Sequence, residues 1–348
     1  MFKTFALVAV SALALSACGD PATGGAGGAR DQVKIVGSST VYPFTSAVAE
    51  TFGRNNPGFK TPVVESTGTG SGMKLFCAGV GAGHPDIENA SRRMKKSEFE
   101  DCQKNGVKDI VEVQVGIDGL ALIESNAGPK MNLTVEDVYK AIAANPYGKP
   151  NAAKTWKDVN PALPAIAIKV FGPPSTSGTR DSLAELILDK GCNKNPEMEA
   201  LKKSDADKHK DICTKVREDG AYVESGENDN LIVQKLTANP DAIGVLGYSF
   251  LEENLKDVRG IAINGVEPTY ETIAGFTYPG ARAMFIYVKG AHLTAIPGLK
   301  EFLAEYANAW TPGGYLAKRG LIASPDAIRA KNAEIVQKLT MMTGADLS

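Results

Sequence analysis

The residues best placed to hold a ligand are Ser175-Thr176-Ser177-Gly178-Thr179-Arg180-Asp181, directly before the apolar-periodic segment Leu183-Ala184-Glu185-Leu186-Ile187-Leu188. Small hydroxyl side chains and one glycine stand where a helix should begin. The first helical turn has backbone N–H groups without intrahelical partners and carries the positive end of the macrodipole, so it attracts anions. Ser177 and Thr179 would add hydroxyl donors, Gly178 would let a ligand approach the backbone, and Arg180 would bring a charge. Taken alone, the stretch reads first as an ordinary Ser N-cap with an exposed arginine, because such caps are common.

Two further segments repeat the design. Ser38-Ser39-Thr40 leads into Val41-Tyr42-Pro43-Phe44, where Phe44, Val48 and Phe52 share one helical face and Pro43 suits a first turn. Thr67-Gly68-Thr69-Gly70-Ser71-Gly72 leads into Met73-Lys74-Leu75-Phe76. Its glycines match no nucleotide motif. A dinucleotide fingerprint needs glycine at Met73, and a P-loop needs Ser or Thr after its Gly-Lys. A nucleophile elbow fails as well, because Gly70 directly precedes Ser71. One such turn is banal, but three in one chain point to a shared anion cleft.

The elements that must position these turns alternate. Strands are expected at 33–37, 61–66, 111–116, 119–124, 166–171, 243–248 and 283–288, with a short strand-to-loop segment at 86–94. Helices are expected after each hydroxyl turn and at 134–144, 299–310 and 325–342. The alternation implies an α/β fold with mostly parallel connections, in which ligands bind at the carboxyl ends of strands. Residues 145–160, with Pro146, Gly148, Pro150 and Trp156, read as an irregular surface segment, and Arg92-Arg93 as a solvated pair. With 348 residues, two lobes are expected. The net charge of -2 argues against a polyanion partner, so nucleic acid is not expected.

Lys3 followed by an apolar run from Phe5 to Leu15, ending Leu15-Ser16-Ala17-Cys18-Gly19, reads as an export signal, with a Gly/Ala-rich tether after it. Its small-residue site before a cysteine resembles the bacterial lipoprotein signal, in which that cysteine, here Cys18, is lipidated. Cys77, Cys102, Cys192 and Cys213 remain. In an oxidising compartment an even count favours disulfides; three connectivities are open, with the sequence-local pairs Cys77–Cys102 and Cys192–Cys213 preferred over zinc ligation. His84, His209 and His292 are scattered and lie in no ligand or catalytic motif.

Across the mature chain the sequence resembles the phosphate-binding proteins of bacterial phosphate ABC transporters (PstS-type). The resemblance rests on the order of Gly37-Ser38-Ser39-Thr40-Val41-Tyr42-Pro43, Gly68-Thr69-Gly70-Ser71-Gly72, Asn89-Ala90-Ser91-Arg92, Ser177-Gly178-Thr179 and Ile243-Gly244-Val245-Leu246-Gly247-Tyr248. It implies a two-lobed periplasmic binding protein fold of type II, each lobe a mixed, mostly parallel sheet flanked by helices, with two crossing strands as hinge. The implied division is signal peptide 1–17, tether 18–30, lobe I from 31–125 and 270–348, and lobe II from 126–269. It also implies inorganic phosphate held between the lobes, a membrane permease as partner, a lipid anchor, a monomer, no cofactor, no metal and no catalysis.

Residue by residue, Thr40 and the Val41 backbone match the first helix contacts, Ser71 the second, and Ser177, Gly178 and Thr179 the third, with Ser91 beside them. Two positions depart from the pattern: Arg92 stands where the family has a carboxylate, and Pro173 where it has an arginine. Arg92 and Arg180 are therefore expected to act as bidentate donors to phosphate, with Asp181 holding Arg180 or accepting the phosphate proton. The alternatives are another oxyanion (sulfate or molybdate), a phosphatase or esterase using Ser71 or Ser177, and a sensory or adhesive role.

Overall fold

The computed structural model describes residues 30–226 and 229–347. The signal, its lipidation candidate Cys18 and most of the tether lie outside these residues. Among them, no helix is long and apolar enough to cross a membrane.

The chain opens with β1 (Lys34–Gly37), α1 (Tyr42–Asn55), β2 (Val63–Ser66), α2 (Thr69–Phe76), β3 (Ile87–Ala90) and α3 (Lys96–Lys104). β1 pairs in parallel with β2 and β3, which brings the ends of β1 and β2 and the starts of α1 and α2 to one edge. The i, i+4, i+8 stripe of α1 does what its spacing predicts: Phe44, Val48 and Phe52 are buried, and Phe52 meets Phe302 edge-on with ring centroids 5.8 Å apart. The Cys77–Cys102 disulfide ties α2 to α3.

β4 (Ile110–Ser125) then runs through both lobes as one 16-residue strand, correcting the expectation of two strands divided near Gly116. The glycines are there for close packing and not for a turn. A Cβ on Gly116 would lie 2.4 Å from Leu321 Cδ1, and one on Gly119 2.4 Å from Ile322 Cδ1.

The second lobe follows with β5 (Asn132–Leu133), α4 (Val135–Ile142), α5 (Trp156–Val159), β6 (Val170–Gly172) and α6 (Gly178–Ser182). After α6 comes a π-helical stretch, Leu183–Leu188, then α7 (Asp189–Cys192), α8 (Pro196–Ser204), α9 (Ala206–Thr214) and β7 (Tyr222–Glu224). The lobe continues with α10 (Asp229–Ala238), β8 (Ile243–Gly247), α11 (Tyr248–Glu253), β9 (Val258–Gly260), β10 (Ala262–Ile263) and α12 (Tyr270–Ala274). Trp156 is 1% exposed, so the segment read as surface contributes an anchor to this lobe's core. β11 (Ala281–Lys289) returns the chain antiparallel to β4, and α13 (Leu299–Ala309) and α14 (Asp326–Lys338) complete the first lobe.

The strand order β2-β1-β3-β11-β4-β8-β6-β7, with β9 also on β4, is a mixed sheet curling through two lobes. Pairing is parallel within β2-β1-β3 and within β8-β6-β7, and antiparallel across β3-β11-β4-β8. Each lobe has its own apolar core. Ile273 and Tyr278 pack in the same core as Leu120, Ile123 and Val245.

Candidate functional site

Ser177 caps α6, its Oγ accepting from the Thr179 N–H at 3.2 Å, so this part of the opening stretch is a genuine N-cap. What separates it from a banal cap is its neighbour across the lobe boundary. A Cβ on Gly178 would lie 3.1 Å from the Thr40 Cα and 3.3 Å from the Ser39 carbonyl. The start of α6 thus abuts the loop before α1, and any side chain there would press on Thr40 and Ser39. Ser39 Oγ donates to the Asp181 carboxylate across the same junction.

A cavity of about 260 Å³ opens beside this contact, lined among others by Thr40 from the first lobe, Ser177, Gly178 and Thr179 from the second, Asp118 from β4, and Arg319. A water occupies about 30 Å³ of liquid volume, so a tetrahedral oxyanion with a few waters fits. Thr40 is 6% exposed and Val41 fully buried. Their N–H groups face Ser38 Oγ at 3.2 and 3.4 Å. Ser91 is joined to the start of α2 through Thr69, whose Oγ1 accepts from the Ser91 N–H at 3.1 Å. Ser71, in the first turn of α2, is exposed and does not line the cavity.

The two expected arginines are engaged within their own lobes. Arg92 forms a fork to Glu98, with N–O distances of 2.8 and 2.6 Å. That hydrogen-bonded pair raises the Arg92 pKa further. Burial pushes Glu98 up, but Arg92 and the Lys95 N–H pull it down and prevail. Arg93 pairs with Glu112 and Asp346, so neither member of the arginine pair is merely solvated.

Arg180 lies over the Tyr222 ring, 4.5 Å from its centroid, and donates to the Pro173 carbonyl at 3.2 Å. Burial pushes the Tyr222 phenol up to about 12 against the opposing pull of Arg180. The guanidinium therefore ends beside the position where an arginine was expected and proline stands. Asp181 takes Ser39 as its partner instead of Arg180.

The residue that sequence reasoning missed is Arg282, on β11 and 9% exposed. Its Nη2 donates to Thr40 Oγ1 at 2.7 Å and to Ser182 Oγ at 2.9 Å, its Nε to Asp118 at 3.1 Å, and its Nη1 to Glu185. Nothing local marks it: it falls just before the strand expected at 283–288, and only the crossing of β4 and β11 sets it beside the cavity.

Both sequence-local disulfides are present, Cys77–Cys102 and Cys192–Cys213. Among the described residues, one group of Cys and His side chains lies close enough to share a metal: Cys192, His209 and Cys213. Its two sulfurs are spent on the disulfide, which answers the zinc alternative there.

The sequence matches the PBP superfamily domain over residues 22–309. It is 33% identical over 267 residues to the protein SphX of Synechococcus elongatus, covering 74% of this chain and 68% of that one. It is 31% identical over 310 residues to the phosphate-binding protein PstS of Staphylococcus saprophyticus, covering 87% and 84%. The fold is similar to the crystal structure of a possible phosphate-binding protein from Planctomyces limnophilus, at a TM-score of 0.69 and 27% identity over 88% of this chain and 98% of that one. An ABC-type phosphate transport receptor from Vibrio cholerae shares the fold at a TM-score of 0.54 and 23% identity, over 84% and 99%.

Proposed function

The chain belongs to the PBP superfamily, in the family of phosphate-binding proteins that includes the staphylococcal PstS proteins, and from that membership we propose that it binds inorganic phosphate between its lobes and delivers it to the permease of an ABC transporter. The observation that carries the reading is the meeting of two helix starts from different lobes at one polar cavity, with Thr40 facing Ser177, Gly178 and Thr179. Hydroxyls and backbone N–H groups on both sides, exchanging Ser38 Oγ and Ser177 Oγ for the ligand, would close on a tetrahedral anion with short hydrogen bonds and no chemistry.

In this reading Thr40, Val41, Ser177, Gly178 and Thr179 supply donors at the cavity, Ser71 and Ser91 supply them once the start of α2 closes on the anion, and Arg92 and Arg180 supply charge once turned from their protein partners. Sulfate or molybdate binding is the competing reading. A Ser71 or Ser177 nucleophile would need a base within reach. His292 is held by Asp86, His209 by Asn193, and among the described residues no histidine lines the cavity. We further propose export and anchoring through a lipid on Cys18, as a monomer.

Calorimetry with phosphate, sulfate and arsenate tests the function: tight phosphate binding supports it, and heat from none of the three would end it. Arg180→Ala is expected to weaken phosphate at least tenfold, about 1.4 kcal/mol. An unchanged affinity would leave Arg180 as a scaffold for Tyr222 and Pro173. Cys18→Ser should move the protein from the membrane fraction to the soluble one.

A further inference from the structure

Two groups of residues line the cavity between the lobes. Thr40 with Ser177, Gly178 and Thr179 forms the first, the hydroxyl-rich meeting of helix starts. The second gathers around α11: Gly247, Ser249 and Phe250 line the cavity with Asp229 of α10, and Arg319 and Gly320 join them from the first lobe. These residues are close neighbours. A Cβ on Gly247 would lie 3.7 Å from Asp229 Oδ2, 3.8 Å from Phe250 Cδ2 and 3.9 Å from Ser249 Oγ, and one on Gly320 would lie 3.2 Å from that same hydroxyl. Pro43 and Phe44, in the first turn of α1, complete the wall.

The space exceeds what a bare oxyanion needs. The five heavy atoms of phosphate, each given the roughly 30 Å³ that a water takes in the liquid, fill about 150 Å³. About 110 Å³ of the 260 Å³ cavity remains, enough for about four further heavy atoms on the same generous scale. The second group of residues decides what suits that remainder. Pro43, Phe44 and Phe250 offer apolar surface for carbon. Ser249 Oγ is buried and, among the described residues, has no hydrogen-bond partner, a cost that a polar ligand atom would remove. Asp229, itself buried, offers carboxylate oxygens, and Asp118 lines the cavity as well. Against these two acids, the one cation among the described lining residues is Arg319, which already pairs with Glu50 at 3.9 Å. A second anionic group would be repelled in this partly desolvated space. A hydroxyl can donate to a carboxylate and also exchange a hydrogen bond with serine.

We propose that the site also takes phosphate monoesters of small polyols. Thr40 and the start of α6 hold the phosphoryl group, the carbon chain lies against Phe44 and Phe250, and its hydroxyls meet Ser249 and Asp229. The inference rests on the phosphate-binding reading and widens its ligand class.

Calorimetry at about pH 7.5 compares inorganic phosphate, methyl phosphate, pyrophosphate and glycerol 3-phosphate free of inorganic phosphate. Glycerol 3-phosphate should bind the wild-type protein, compete with inorganic phosphate, and exceed both methyl phosphate and pyrophosphate by about tenfold. Ser249→Ala should lower the ratio of glycerol 3-phosphate to inorganic phosphate affinity about threefold, and Phe250→Trp, which fills the space, about tenfold. A purely structural role would weaken both ligands together and leave the ratio unmoved. If Phe250→Trp does not fold, Ser249→Ala and the wild-type series decide. Inorganic phosphate binding without glycerol 3-phosphate binding, a preference for pyrophosphate over glycerol 3-phosphate, or a ratio that the variants leave unmoved overturns the inference and leaves phosphate binding intact. Binding of none of the four ligands overturns the functional reading itself and the inference with it.

Discussion

Glu88 is fully buried on β3, and among the described residues neither carboxyl oxygen has a hydrogen-bond partner. Gly37 and Gly72 make room for it: a Cβ on Gly72 would stand 2.2 Å from one of its oxygens. Burial, and next the Glu98 charge, push its pKa well above the usual carboxylate range, with Arg92 opposing. A carboxyl with a raised folded pKa contributes stability that is fully present below its unfolded pKa and is lost as pH rises through the folded one. Glu88→Gln should therefore gain on the wild type as pH rises from about 4.5 to 8, by about 1.4 kcal/mol for every tenfold by which folding tightens the hold of Glu88 on its proton. Urea midpoints of both proteins at the two pH values check this. A pH-independent difference would mean that Glu88 ionises as it does in the unfolded chain.

The elements that matter are helix starts, and α6 is the one whose packing is most exacting. Because a side chain at Gly178 would run into Thr40 and Ser39, Gly178→Val should hold the lobes apart. Phosphate affinity is expected to fall at least tenfold with little change in melting temperature, since each lobe keeps its own core. A large melting shift would instead make Gly178 a folding residue. At the far end of the same helical run, Cys192–Cys213 closes a loop with a sequence separation of 21 over α8 and α9. Replacing both cysteines with serine should cost about 3 kcal/mol by loop entropy, read from denaturant unfolding. Phosphate binding should survive, because the cavity is lined by other segments.

On the scale of the whole molecule, the Ser39–Asp181 hydrogen bond and the Arg282 cluster span the lobes. Asp181→Ala should shift the ligand-free protein toward a more open form, seen as a larger radius of gyration by solution scattering, and saturating phosphate should restore the compact value. An unchanged ligand-free radius would show that β4 and β11 fix the lobes without this contact.

Much of this was legible in the sequence. Hydroxyl and glycine turns before apolar stripes placed the starts of α1, α2 and α6, because capping and periodicity are local physics. An even number of close-spaced cysteines after an export signal favoured the two disulfides that formed. Tertiary structure decided the rest. Gly116 and Gly119 looked like a strand break but sit inside β4, since their role is contact with Leu321 and Ile322, some 200 residues away in sequence. Arg92 found Glu98 and Arg180 found Tyr222, partners that no local pattern names. Arg282 and Asp118 are 164 positions apart in the chain and carry no motif. They became neighbours only because β11 returns antiparallel to β4, where strand register sets which side chains meet and no local pattern records it.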